Sequence, residues 1–219
     1  MAEVKERSRT ARREATRERV LDAALAVLGE RGIIGSSVED ICERAGFTRG
    51  AFYSNFGDKT DLVDALVERE HARVIASLDA NLAVTFAEMA GVGEGGSDDQ
   101  ASLGPVVERI LGAVPVDRQV AMLQTELEIN AIRQPAMSGS FRDADARFRA
   151  RIAEFIVLGT GHRNRELLVD AVDVADASIA IVERSVRRAL LQGGGADPDA
   201  MARAVLPLLL LAVSRPKAG

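Results

Sequence analysis

The chain has 219 residues, 47% of them apolar and 28% charged, which suits one large or two small hydrophobic cores and excludes disorder, collagen and an isolated coiled coil. Only 4% are aromatic, with no Trp and one Tyr, so the composition favours helix and disfavours an all-β fold. A single cysteine, Cys42, rules out an internal disulfide, two histidines, His71 and His162, leave little for a metal site, and a formal charge of −5 speaks on average against an anionic partner.

In chain order, Val20, Leu21, Ala24, Val27 and Leu28 recur at helical spacing and predict a first helix over about 16–31, ended by Gly32. Ser37 is a natural cap for a second helix, with Asp40 completing a variant capping box and Val38, Ile41, Cys42 and Ala45 as its inner face. Gly46 supplies a tight turn, Phe47 fills the angle, and Thr48 caps a third helix predicted over 49–56. This order is a helix-turn-helix. A fourth helix starts at Lys59 and carries Leu62, Leu66, Val67, Val74, Ile75 and Leu78. After a Gly-rich acidic stretch, further helices are predicted at about 105–113, 117–133 and 138–158. Leu168, Val172, Ala175, Ile179, Val182, Val186 and Ala189 then fall on one stripe of a long helix that Gly193 to Gly195 end. Asp197 as cap and Pro198 as first residue predict a last helix bearing Ala204, Leu208 and Leu211, kinked at Pro207. The expected fold is all-α, with helices as its sole elements. The longest apolar run, Val205 to Val213, is far short of the ~20 residues that span a bilayer, and no apolar segment follows the basic N-terminus, so a cytosolic chain without membrane contact is expected.

Charge is uneven. Residues 1–60 hold 11 Lys and Arg against 10 Asp and Glu, leaving 17 against 23 for residues 61–219. Within the first 20, Lys5, Arg7, Arg9, Arg12, Arg13, Arg17 and Arg19 face Glu3, Glu6, Glu14 and Glu18, a basic arm of net +3. Such an arm is either a solvated flexible tail or a contact to phosphates or a minor groove.

The run from Val38 to Leu62, VEDICERAGFTRGAFYSNFGDKTDL, resembles the DNA-binding signature of the TetR family of bacterial transcriptional regulators over about 15–70. The resemblance implies a homodimer, in most members a repressor on double-stranded DNA with a palindromic operator, whose C-terminal domain binds a small molecule and releases the DNA. It implies no cofactor, no metal and no enzymatic activity. Residues 1–60 are then the arm and the three-helix DNA-binding domain, and 61–219 the helical ligand-binding and dimerisation domain.

The residues suit those roles. A recognition helix offers its N-terminal residues to the major groove, which places Thr48, Arg49 and Gly50 nearest the DNA. Arg49 is the expected base reader, since a guanidinium pairs bidentately with guanine, and Gly50 allows close approach. Thr48 and the helix end suit a phosphate, as do the Tyr53 hydroxyl, Lys59 at the start of the fourth helix and Ser37 at the second, although Ser37 serves equally as a cap alone. Phe52 and Phe56, at i and i+4, are expected to face inward. Many relatives carry an aromatic residue or His after the tyrosine; Ser54 and Asn55 depart from that, and Asn55 either reads adenine or binds a phosphate.

Elsewhere the signals are weaker. Gly91 to Gly96 match a dinucleotide fingerprint formally but lack a preceding strand. Cys42 reads as a small core residue. Leu168, Val172, Ala175, Ile179, Val182, Val186, Leu208 and Leu211 are either bundle core or dimer interface, and the family resemblance favours the interface. Phe86, Met89, Met122, Phe148 and Phe155 are available to wall a ligand pocket or to fill a core. Two other functions remain open to such a chain: a helical enzyme, for which no catalytic constellation stands out, and a protein-interaction module whose helix-turn-helix meets another protein.

Overall fold

The computed structural model describes residues 2–89, 104, 107–108, 111–112, 117–133, 139–193 and 195–217, with side chains described from Thr10 onward and not over 82–89. The dinucleotide-like stretch Gly91 to Gly96 and the side chains of Phe86 and Met89 lie outside the described residues. The elements are α1 (Ala2–Arg31), α2 (Val38–Ala45), α3 (Arg49–Tyr53), α4 (Lys59–Met89), α5 (Arg118–Arg133), α6 (Gly139–His162), β1 (Arg165–Leu167), α7 (Ala171–Gln192), α8 (Ala200–Ala212) and β2 (Ser214–Pro216). The all-α class holds. Residues 104, 107–108 and 111–112 are helical as well, the last four within the helix expected at about 105–113 and residue 104 just ahead of it. No described helix is long and apolar enough to cross a membrane.

Two compact units share the chain: residues 1–70 with 117–142, and residues 71–116 with 143–219. Helix α4 thus begins in the first unit and continues into the second, and α5, from the later half of the chain, belongs to the first.

In the first unit α1 packs on α2 and on α5. Its stripe Val20, Leu21, Ala24, Val27 and Leu28 is buried, as are Ile41, Cys42, Phe52, Phe56, Leu62 and Leu66. Helix α1 starts fourteen residues earlier than its apolar pattern predicted, at Ala2. Residues 2–15 are Glu, Arg and Ala rich and polar all round, so helix propensity rather than amphipathicity forms this part. Arg69, at the inner end of this part of α4, lies 2.8 Å from Asp22 and 3.3 Å from Glu18 and so pins α4 to α1. Helix α5 approaches α1 closely at Gly32, whose φ of +77° and whose missing Cβ both matter, since a Cβ there would lie 2.5 Å from Glu126 Oε1. Glu126 Oε2 accepts the Ile33 N–H at 2.5 Å, taking up a donor of the α1–α2 connector.

In the second unit Leu78 of α4 and Phe155 of α6 form one buried cluster with Val74, Ile75 and Ile152. A second joins Val107 and Leu111 to Ala202 and Leu206 of α8, with Ile181 and Val182 of α7 against it. Asp170 caps α7 by accepting the Val172 N–H at 2.7 Å. Helix α8 starts two residues later than expected. Asp197 Oδ1 accepts the Asp199 N–H at 2.9 Å and closes a separate turn around Pro198, while the buried Ser185 hydroxyl of α7 accepts the Met201 and Ala202 N–H groups at 3.2 and 3.4 Å. The cap of α8 is therefore tertiary. Pro207 sits buried within α8.

The expectation of helices alone is corrected by β1 and β2, an antiparallel pair in the register Arg165 to Pro216, Glu166 to Arg215 and Leu167 to Ser214. The Leu168 N–H continues it, donating to Val213 O at 2.8 Å, so Leu168 lies in the bend between β1 and α7 and off the helical stripe assigned to it. Buried Arg165 ties the pair together by donating to Ser214 Oγ at 2.9 Å and Ser214 O at 2.8 Å.

Candidate nucleic-acid interface

The helix-turn-helix is built by local capping. The Ser37 hydroxyl accepts the Asp40 N–H at 3.1 Å, and Asp40 Oδ2 accepts the Ser37 N–H at 2.9 Å and the Ser37 hydroxyl at 2.6 Å. The Ser37 hydroxyl, and after it the Ser37 backbone N–H, hold the Asp40 carboxyl below the ordinary aspartate range. Gly46, at φ +70°, ends α2 in the left-handed conformation that glycine adopts most readily. Thr48 then caps α3, its hydroxyl accepting the Ala51 N–H at 3.3 Å.

Helix α3 is shorter than the predicted 49–56, and the two residues that depart from the family pattern explain why. In an α-helix the Asn55 N–H would donate to Ala51 O. That carbonyl instead accepts Ser54 Oγ and Asn55 Nδ2, each at 2.8 Å, and the Asn55 N–H turns to Phe52 O at 2.9 Å. Asn55 thus terminates the helix, its amide donating back to Ala51 O and its Oδ1 buried, a structural role beside the one expected of it toward adenine or phosphate.

Phe52 and Phe56 face inward as their spacing predicted, with ring centroids 5.6 Å apart. Thr48, Arg49, Gly50 and Tyr53 are exposed on the outer side of α3. Arg49 Nη1 lies 2.6 Å from Glu39 Oε1 of α2, and its guanidinium stands 5.8 Å from the Tyr53 ring. The Tyr53 hydroxyl, and after it the Glu39 carboxylate, raise the Arg49 pKa above its ordinary value. Gly50 has no internal reason to be glycine, because a Cβ added there would meet nothing nearer than Thr48 Oγ1 at 3.7 Å.

Lys59, expected as a phosphate contact, is engaged within the chain. Its ammonium donates to Ser36 O at 2.6 Å and to Ile33 O, closing the α1–α2 connector that Glu126 holds from the other side. Burial lowers its pKa, against the opposing pull of Asp40 and Glu126. Lys59→Ala is therefore expected to lower the thermal midpoint of the protein by leaving two carbonyls with a lost charged donor, a cost of about 1–3 kcal/mol. An unchanged midpoint together with weaker, less salt-dependent DNA binding would return Lys59 to the DNA.

Several basic residues that read as an arm act inside the module: Arg13 Nη2 donates to Ser54 O at 3.0 Å, Arg19 Nη2 to Ala45 O at 3.2 Å, and the Arg17 guanidinium stands 5.2 Å from the Phe56 ring. The sequence carries no signal for Glu126 or for the Glu39 to Arg49 pair.

The other expected sites are dispersed. Met122 is exposed and belongs to the first unit, whereas Phe148 and Phe155 belong to the second. Phe155 fills the Leu78 cluster, and Phe148 stacks on His71 with centroids 4.4 Å apart. Of the expected interface, Ala175 and Val186 are buried within the chain and are corrected to core, while Val182 is half-buried and packs on its own core. Ile179 and Leu211 are half-buried, and Leu168, Val172 and Leu208 are exposed. Ala204, Val205, Leu208 and Ala212 give α8 an exposed face that is wholly apolar.

Residues 20–66 match the family model described as bacterial regulatory proteins, tetR family. The HTH-type transcriptional regulator SrpR of Pseudomonas putida is 39% identical over 66 residues, which cover 30% of this chain and 31% of that one, so the match spans about a third of this curated relative. Likeness of fold extends further. A TetR transcription regulator from Haloarcula marismortui has a TM-score of 0.64 at 20% identity, covering 92% of this chain and all of that one. The transcriptional regulator FadR from Bacillus subtilis, in complex with stearoyl-CoA, has a TM-score of 0.64 at 18% identity, covering 90% of this chain and 98% of that one. Residues 20–66 belong to the TetR family of bacterial regulatory proteins, and the chain as a whole has the fold of that family's solved members.

Proposed function

We propose that the chain is a sequence-specific DNA-binding transcriptional regulator acting in the cytoplasm as a homodimer on a palindromic operator. The exposed face of α3 carries the reading: a base-reading arginine, a capped helix N-terminus, a phenol and a glycine for which the protein itself has no use. Glycine near a helix start costs up to about 1 kcal/mol relative to alanine. Its presence where a Cβ would fit is accounted for by close approach of DNA. Gly50→Ala tests this, because it separates folding from binding: the thermal midpoint is expected to hold or rise while affinity for duplex DNA falls at least tenfold. Retained affinity would remove the support that Gly50 gives.

Two copies are needed because a two-fold operator presents half-sites about 34–36 Å apart. The apolar exposed face of α8 supports pairing through that helix. The second unit is assigned a small-molecule effector; the B. subtilis regulator of similar fold was solved in complex with stearoyl-CoA.

A further inference from the structure

We infer that the β1–β2 pair and Arg165 act as a strap that fixes α8 against α7, so that the apolar surface offered to a second copy is assembled before the two copies meet. The inference rests on the homodimer reading above and deepens it by naming the residues that preform the pairing surface.

Three observations carry it. The pair joins the far ends of two packed helices, since β1 leads into α7 and β2 leaves α8. At the near end the Ser185 hydroxyl of α7 holds the first N–H groups of α8, so the two helices run antiparallel and are tied at both ends. The frame is closed.

The strap also takes up the end of α8. A helix leaves its last carbonyls without partners inside it. Here the Ser214 hydroxyl donates to Leu210 O and Arg165 Nη2 to Leu211 O at 3.4 Å, which sets a buried guanidinium at the negative end of the helix dipole. The ladder runs one residue past the strands on either side, with the Leu168 N–H on Val213 O and the Lys217 N–H on Asn164 O, both at 2.8 Å.

The third observation is where exposed apolar side chains lie. Leu168, Val169 and Val172 at the β1–α7 junction and Val205 and Leu208 on α8 are all exposed, and the Leu168 to Val213 bond draws the junction to the end of α8. A face whose two halves are already fixed avoids the ordering that association otherwise costs.

The backbone shows that the pair is a strap and not a sheet for a second copy to extend. Bonded pairs alternate along an antiparallel ladder, so the bonds at Leu168 and Lys217 turn the backbone groups of Ser214 and Pro216 to the outer edge of β2. There Ser214 O accepts Arg165 Nη2, and Pro216 has no N–H to give. Pairing therefore falls to side chains.

The test compares the wild-type chain with Arg165→Met, which keeps a long apolar stem without the guanidinium, and with a chain ended at Val213. Sedimentation equilibrium gives the dimer dissociation constant, far-ultraviolet circular dichroism the helix content, and titration the affinity for the duplex that the wild type enriches and for one half-site of it. In both variants the dissociation constant is expected to rise about tenfold or more, with helix content and half-site affinity unchanged. Arg215→Ala, whose partner Glu166 lies with it on the exposed side of the pair, leaves the constant within about twofold. Wild-type dissociation constants in both variants would overturn the inference. Loss of helix content in both would overturn it too, since the pair would then hold the fold and not the face. A wild type that is monomeric at every concentration would instead remove the homodimer reading, and the strap with it. Failure to enrich any duplex would remove the DNA-binding reading, while the dissociation constants still decide the strap.

Discussion

Phe52→Ala is expected to destabilise the N-terminal unit by about 3–5 kcal/mol, seen as a lower midpoint of chemical denaturation at an unchanged slope. The size follows from how α3 is held. Five residues form one turn and a half, far below the length at which a helix sustains itself in water. Its position therefore depends on packing, and Phe52 is the side chain that supplies it: fully buried, edge-on to Tyr53 at 5.2 Å and 5.6 Å from Phe56. Truncation leaves a ring-sized void between α3 and its neighbours and releases the helix that presents Arg49. DNA binding falls as a consequence, whereas Tyr53→Ala, at a half-exposed position, keeps the midpoint within about 1 kcal/mol. A Phe52→Ala protein with the wild-type midpoint would mean that α3 is held by something other than its core.

Arg49→Ala is expected to do the opposite, leaving stability intact and relaxing base preference at one position of each half-site. Its ion pair with Glu39 joins side chains that are 61% and 55% exposed, so water screens the pair and it is readily exchanged for a base. A bidentate contact to guanine discriminates by about 1–3 kcal/mol, equivalent to roughly 5- to 150-fold at that position. Base-by-base enrichment profiles of wild type and variant measure this. Identical profiles would move base reading away from Arg49.

The caps of the helix-turn-helix were legible because they are local: Ser37, Gly46 and Thr48 act on backbone groups within a few residues of themselves. Phe52 and Phe56 were legible for the same reason, their spacing being a property of one helix. The bonds that Asn55 and Lys59 make within the chain were not legible, because polar side chains have alternatives that only the folded chain decides. Lys59 finds carbonyls 26 and 23 positions away, and Glu126 meets an N–H 93 positions away. The stripe on α7 was found, but periodicity marks a face without saying what covers it, and Ala175, Val182 and Val186 prove to face their own core. Residues 2–15 carry no apolar period and β1 only three residues without alternation, so neither pattern reported them.

The central claim, that α3 reads duplex DNA for a two-fold protein, is tested most directly by enrichment of the full chain against a random library of duplexes at moderate salt. The expected result is a palindrome whose half-sites lie about 10–10.5 base pairs apart centre to centre, bound with an affinity that falls steeply as salt rises. Recovery of no sequence above background, by a chain that is folded and dimeric in the same buffer, would contradict it.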